Sequence, residues 1–105
     1  MKKNIREAQV FDDNRMKKVS LIRHNGSEAF LINLMPGQTL PSHKHPGHQV
    51  FLLVLEGEGE CAVGGETQSF EWRDVLHSSG DTELSVSNTG RKMMSVYVVL
   101  TKDQE

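Results

Sequence analysis

Six consecutive apolar residues, Val50-Phe51-Leu52-Leu53-Val54-Leu55, constrain the fold of this chain more than any other feature. Side chains alternate between the two faces of a β-strand, so this run presents apolar groups on both. One face can fill a barrel interior, and the other needs cover from a second sheet layer or a second subunit. The rest of the sequence has the same texture. Short apolar or β-branched runs alternate with turn residues, and no long stretch shows the i, i+3, i+4 spacing of an amphipathic helix. Strands are expected over residues 5–11, 16–23, 28–35, 49–55, 59–63, 67–72, 84–87 and 93–101. Residues 1–6 could instead begin with a short helical turn.

The punctuation between these runs is chemically explicit. Asn25-Gly26 and Gly64-Gly65 suit two-residue hairpin loops, which need positive φ. Pro36-Gly37 opens a longer connection that runs to Pro41, and Asn88-Thr89-Gly90 is expected to close another hairpin. Many short strands at this spacing predict an all-β, antiparallel sandwich or barrel. At 105 residues, and with no repeat or linker, the chain reads as one domain, 1–105.

Charge and composition narrow the function. Twelve basic residues against 14 acidic ones leave a net charge of −2, which argues against a nucleic-acid groove or a polybasic membrane anchor. No apolar run approaches the length of a membrane-spanning helix. The basic start, Met1-Lys2-Lys3, lacks the apolar segment of a secretory signal. A single cysteine, Cys61, forms no intrachain disulfide. A cytoplasmic location is the expectation.

Of the five histidines, His43, His45 and His48 lie within six residues. On a strand, His43 and His45 would point to one face, as two ligands of a metal ion must. The stretch from Pro36 to Gly47, ending in Leu55-Glu56-Gly57, resembles the first signature of the cupin superfamily: Gly, five residues, His-x-His, three or four residues, Glu, six residues, Gly. Gly37, His43, His45 and Gly57 match at the expected spacing. A looser second signature falls around residues 73–90, and the resemblance spans about 28–100. It implies a small jelly-roll β-barrel (a double-stranded β-helix), usually dimeric, with a pocket inside the barrel.

The departures from that pattern bear on function. Metal-using cupins usually bind the ion through His, His, Glu and a last His. Here the Glu position falls on Val50 and the last His position on Leu84. Leu84-Ser85-Val86-Ser87 alternates, which turns Leu84 and Val86 inward and Glu83 outward. The set could be completed by Gln49 through a bulge near Gly47, by His48, or by His77 from a neighbouring strand. Reversing the alternation would bring in Glu83.

Two functions follow. The first is a small-molecule-binding cupin whose pocket combines His43 and His45 with apolar Val50, Leu52, Leu84 and Val86, and with His77 from a neighbouring strand. An anionic ligand such as a small carboxylate would offset the cost of charging two close imidazoles there. The second is a metal-dependent dioxygenase or isomerase in which His43, His45 and Gln49 hold a divalent transition metal. A scaffold with a vestigial pocket is a third, weaker reading. The missing carboxylate favours the first, with no firm cofactor. Elsewhere, Phe70 and Trp72 are expected on one core face, and Lys17-Lys18 on a solvated one. The outward face of Phe51, Leu53 and Leu55, or an edge strand around Tyr97, is expected to pair two copies. Sedimentation at tens of micromolar should therefore show a homodimer; a monomer alone would remove that expectation.

Overall fold

The computed structural model describes residues 1–103 and consists of nine antiparallel strands in two facing sheets. The strands are β1 (Lys17–His24), β2 (Ser27–Leu34), β3 (Thr39–His43), β4 (His48–Glu56), β5 (Glu58–Val63), β6 (Glu66–Glu71), β7 (Val75–Ser79), β8 (Leu84–Ser87) and β9 (Met94–Lys102). One sheet has the order β1-β2-β9-β4-β7 and the other β3-β8-β5-β6. The expected all-β, jelly-roll barrel architecture is the one observed. No helix among the described residues is long and apolar enough to cross a membrane.

Alternation builds the core. Phe30, Ile32 and Leu34 of β2, Val50, Leu52 and Val54 of β4, and Met94, Val96, Val98 and Leu100 of β9 face inward from the larger sheet. They meet Cys61, Phe70, Leu84 and Val86 from the smaller one. Burial pushes the Cys61 thiol pKa up, with the Asp74 charge adding to it, as suits a small core side chain.

Gly57 makes the step from β4 to β5, hence from one sheet to the other. Its φ of 80° lies in the left-handed region, and a Cβ there would collide with the Met93 carbonyl oxygen. The Asn25-Gly26 and Gly64-Gly65 loops have the positive φ angles expected of tight hairpins.

Several expectations need correction. Residues 5–11 form no strand. Ile5–Ala8 is a 3₁₀ turn capped by the Asn4 side chain, and the segment lies across β2. Its carbonyls are taken by side chains rather than a ladder: Asn33 Nδ2 donates to Ala8 O at 2.8 Å, and Gln38 Nε2 to Asp12 O at 2.7 Å. Two strands, β3 and β7, were not expected. Asn88-Thr89-Gly90 does not close a hairpin, because β8 and β9 belong to different sheets. Trp72 leaves the Phe70 face at the turn after β6 and is 59% exposed, with the Arg73 guanidinium 4.4 Å from its ring centroid.

Tyr97 sits on β9, which is flanked by β2 and β4 and is no edge. The outer face of β4 does carry Phe51, Leu53 and Leu55, with Phe51 exposed and the other two half-buried. Neighbouring β7 adds exposed Val75.

The buried Asn88 fastens the crossing. Its Nδ2 donates to Leu34 O at 2.9 Å and to Lys92 O at 2.8 Å, and its Oδ1 accepts from Gly90 N at 3.0 Å. Asn88→Ala strands these buried partners and should lower stability by about 2–3 kcal/mol. Urea unfolding of parent and variant checks this, and an unchanged midpoint would show that the crossing holds without the amide.

Candidate functional site

The histidine segment is pinned by Gly80 at the end of β7. His45 N donates to Gly80 O at 2.8 Å, and Gly80 N donates to His48 O at 2.8 Å. A Cβ on Gly80 would collide with the His45 carbonyl oxygen, so only glycine permits this approach. On the other side, Pro41 lies where the β3–β8 register shifts between Leu40 and His43. A proline and a bulge are compatible because β3 is the edge of its sheet.

Between these anchors, His43 and His45 turn toward each other. Their rings stand edge to face, 4.5 Å between centroids and 81° apart, with 2.7 Å between the two Nε2 atoms. The protons follow from the partners. Pro41 O, 2.7 Å from His43 Nδ1, can only accept, so His43 Nδ1 carries a proton. In neutral His43 the Nε2 is then an acceptor, and His45 Nε2–H donates to it. Burial lowers the His45 pKa below the ordinary histidine value; positive charge at His43, Lys18 and His48 lowers it further, against an opposing contribution from Glu28.

The pair caps a cavity of about 50 Å³ lined by Phe30, Ile32, Leu40, Val50, Leu52, Leu84 and Val98, with Lys18 at its mouth. His43, His45, Val50 and Leu84, the four positions aligned with a cupin ligand set, thus converge on one space, and Leu52 joins them. Val86 is buried deeper and is not part of the cavity wall.

The other candidates lie elsewhere. Gln49 and His77 face the outer surface of the larger sheet, where His77 Nε2 meets Gln49 Oε1 at 2.7 Å and Gln49 Nε2 donates to Asp103 Oδ1 at 2.9 Å. The β4–β7 register runs unbroken from Gln49 to Leu53, so no bulge turns Gln49 inward. His77 is exposed and bonded to this side chain, against Phe51 at 5.0 Å between centroids. His48 joins β4 to the first hairpin, its ring nitrogens 3.1 Å from Pro46 O and 3.0 Å from Gly26 O. Glu83 is exposed, as the alternation required.

Lys18 is solvent-exposed as expected, but sequence patterning gave no sign that it also borders the cavity. It pairs with Ile32, so its side chain leaves the sheet on the inner face, opposite that of Lys17. A Lys-Lys pair carries no mark of this; only the register with β2 reveals it. Two larger open clefts, about 610 and 800 Å³, share Trp72, Arg91 and Lys92 and lie beyond the C-terminal end of β4, away from the histidines at its start.

A divalent ion needs more than this pair offers. Two neutral imidazoles supply no charge compensation, the remaining corners are Val50 and Leu84, and among the described residues no group of three His, Cys, Asp or Glu side chains is placed to hold a metal. The residues present do not fit a resident metal ion.

A two-sheet jelly roll closed over a histidine pair of this spacing is the cupin architecture. The chain belongs to the cupin family whose model is described as "Cupin domain", which matches residues 30–100. No curated protein matches the sequence. Among solved structures, a Thermus thermophilus protein superposes with a TM-score of 0.88 at 22% identity, covering 95% of each chain. The cupin domain of an XRE-family transcriptional regulator from Enterobacter cloacae gives 0.79 at 20% identity, over 87% of this chain and 100% of that one. A predicted oxalate decarboxylase from Thermotoga maritima gives 0.67 at 22%, over 87% and 95%. At such identities the likeness establishes the fold alone.

The lowered His45 pKa sets a pH dependence. Between its folded and unfolded pKa the unfolded chain binds a proton that the native state does not, so the His45 contribution to stability falls as pH drops below the ordinary histidine value near 6.5. Melting temperatures between about pH 5 and 7.5 should decline more steeply toward acid in the parent than in His45→Gln. Parallel curves would show that His45 titrates alike in both states.

Proposed function

We propose that this cupin binds a small molecule in the barrel cavity, oriented by His43 and His45. The observation that carries this reading is the chemistry around the cavity. Two imidazoles meet at 2.7 Å over an apolar space, and side chains without donors, Val50 and Leu84, fill the positions where a metal's remaining ligands would stand. A concave apolar site with a few convergent polar groups is the usual form of a small-molecule pocket. At about 50 Å³ the cavity is far smaller than those that enclose drug-sized ligands, roughly 300–1,000 Å³, so its occupant is a molecule of a few heavy atoms.

The competing reading is a metal-dependent enzyme. Elemental analysis of tag-free protein purified without chelator separates the two, beside the His43→Ala/His45→Ala double variant. Substoichiometric metal in both proteins, and a parent melting temperature unmoved by EDTA or added zinc, are the expected results. Near one equivalent of a transition metal in the parent, lost in the variant, or a sharp fall in melting temperature with EDTA, would overturn the metal-free reading.

A further inference from the structure

The cavity mouth carries a charge that the histidine signature does not account for. Lys18 reaches it from β1, and its Nζ stands 4.3 Å from the centroid of the Phe30 ring, itself part of the cavity wall. Cation–π attraction favours this placement of the ammonium beside the opening, while the side chain keeps 45% of its surface in solvent. Its nearest recorded carboxylate oxygen, Glu28 Oε1, is 3.6 Å away. That exceeds the roughly 2.7–2.9 Å of a charge-assisted hydrogen bond. Glu28 is already engaged by Arg23, whose Nε donates to Oε2 at 3.0 Å, and its side chain is only 15% exposed. The Glu28 pKa stays below the ordinary carboxylate value: burial raises it, but hydrogen bonds from Ser20 and Arg23 and the charges of Lys18 and Arg23 outweigh that. The mouth thus holds a fixed, partnered anion on one side and a positioned, loosely paired cation on the other.

Resting on the reading of the cavity as a small-molecule site, we propose that Lys18 makes that site selective for a small carboxylate anion such as formate or acetate. One carboxylate oxygen accepts from the Lys18 ammonium. The other accepts the His45 Nε2 proton, which turns away from His43, and any alkyl end enters the apolar space among Val50, Leu52, Leu84 and Val98. The size agrees: a cavity of about 50 Å³ admits a molecule of a few heavy atoms and no drug-sized ligand. The charge agrees as well, because among the described residues Lys18 is the one cation lining the cavity and the His45 N–H is a donor beside it.

The test is an NMR titration of the full chain with acetate and with its neutral isostere acetamide, reading the imidazole ¹H–¹⁵N signals of His43 and His45. Parent, Lys18→Gln and Lys18→Arg are compared. Acetate should shift both rings saturably in the parent, bind about tenfold more weakly or worse in Lys18→Gln, and recover most of its affinity in Lys18→Arg, while acetamide leaves the rings unmoved. The arginine variant separates lost charge from lost packing. Equal binding of acetate to parent and Lys18→Gln, or acetamide binding as well as acetate, overturns the role of Lys18 and leaves the pocket reading standing. No ring response to acetate in the parent also overturns it. The pocket reading falls separately, on the metal and EDTA measurements.

Discussion

The structure depends on strict alternation along β4. Val50, Leu52 and Val54 point into the barrel, and Phe51, Leu53 and Leu55 point out. Because the side-chain period of a strand is two, a one-residue slip would replace Val50, Leu52 and Val54 in the core by the bulkier Phe51, Leu53 and Leu55, which the packed interior has no room for. Pairing on both sides reinforces the register, with Val50 opposite Leu100 of β9 and Ser78 of β7. Everything at the histidine end inherits this. Gln49 is held outside the barrel by the same alternation that holds Val50 inside, and its amide is engaged by His77 and Asp103. Turning Gln49 inward to complete a metal site would displace Val50 from the core.

The histidine pair is precise for local reasons. A bulge at Pro41 on an edge strand aims His43, a glycine at position 80 lets two backbones touch beneath His45, and one carbonyl, Pro41 O, fixes the proton on His43. Holding Nδ1–H against a carbonyl is what readies the Nε2 of a ligating histidine. Here that Nε2 receives a proton from His45 instead. The pair has the spacing of two metal ligands, while Val50 and Leu84 around it carry no charge to neutralise a cation.

Most of the fold was legible in the sequence, since the strands with a buried face carry alternating apolar residues. Seven of the nine were visible to within one or two residues. The two that were not, β3 and β7, are each one edge of their sheets, and unlike the other edges, β1 and β6, they are five residues long. An edge strand buries less and obeys a weaker pattern: Thr39-Leu40-Pro41-Ser42-His43 reads as a proline-punctuated loop, and Val75-Leu76-His77-Ser78-Ser79 lacks alternation. The segment at residues 5–11 misled for the opposite reason. It has the apolar content of a strand, but Asn4 caps a 3₁₀ turn at Ile5–Ala8, and Asn33, far along the chain, takes the Ala8 carbonyl a ladder would have used. The four aligned positions of the site converged as the spacing required. Lys18 could not be found that way, because which face a lysine takes depends on pairing with another strand.

That asymmetry locates the variable part of the site. His43, His45, Val50 and Leu84 come from β3, the turn after it, β4 and β8, the stretches that carry the signature, and their positions follow from spacing, while Phe30 and Ile32 of β2 and Val98 of β9 complete the wall. The charges at the rim come from the first hairpin, β1 and β2, through Lys18, Arg23 and Glu28. The hairpin contributes Phe30 and Ile32 to the core, so its register is fixed. Its inward-facing positions nearer the turn, Ser20 opposite Phe30 and Arg23 opposite Glu28, bear little of that packing constraint. Substitution there would change the sign and placement of charge over the opening without disturbing the barrel. A fold that hosts many activities needs such a region, where electrostatics are tuned independently of the core. In this chain the hairpin brings Lys18 to the opening, and its inner residues Phe30 and Ile32 share the apolar wall with Val50, Leu52 and Leu84.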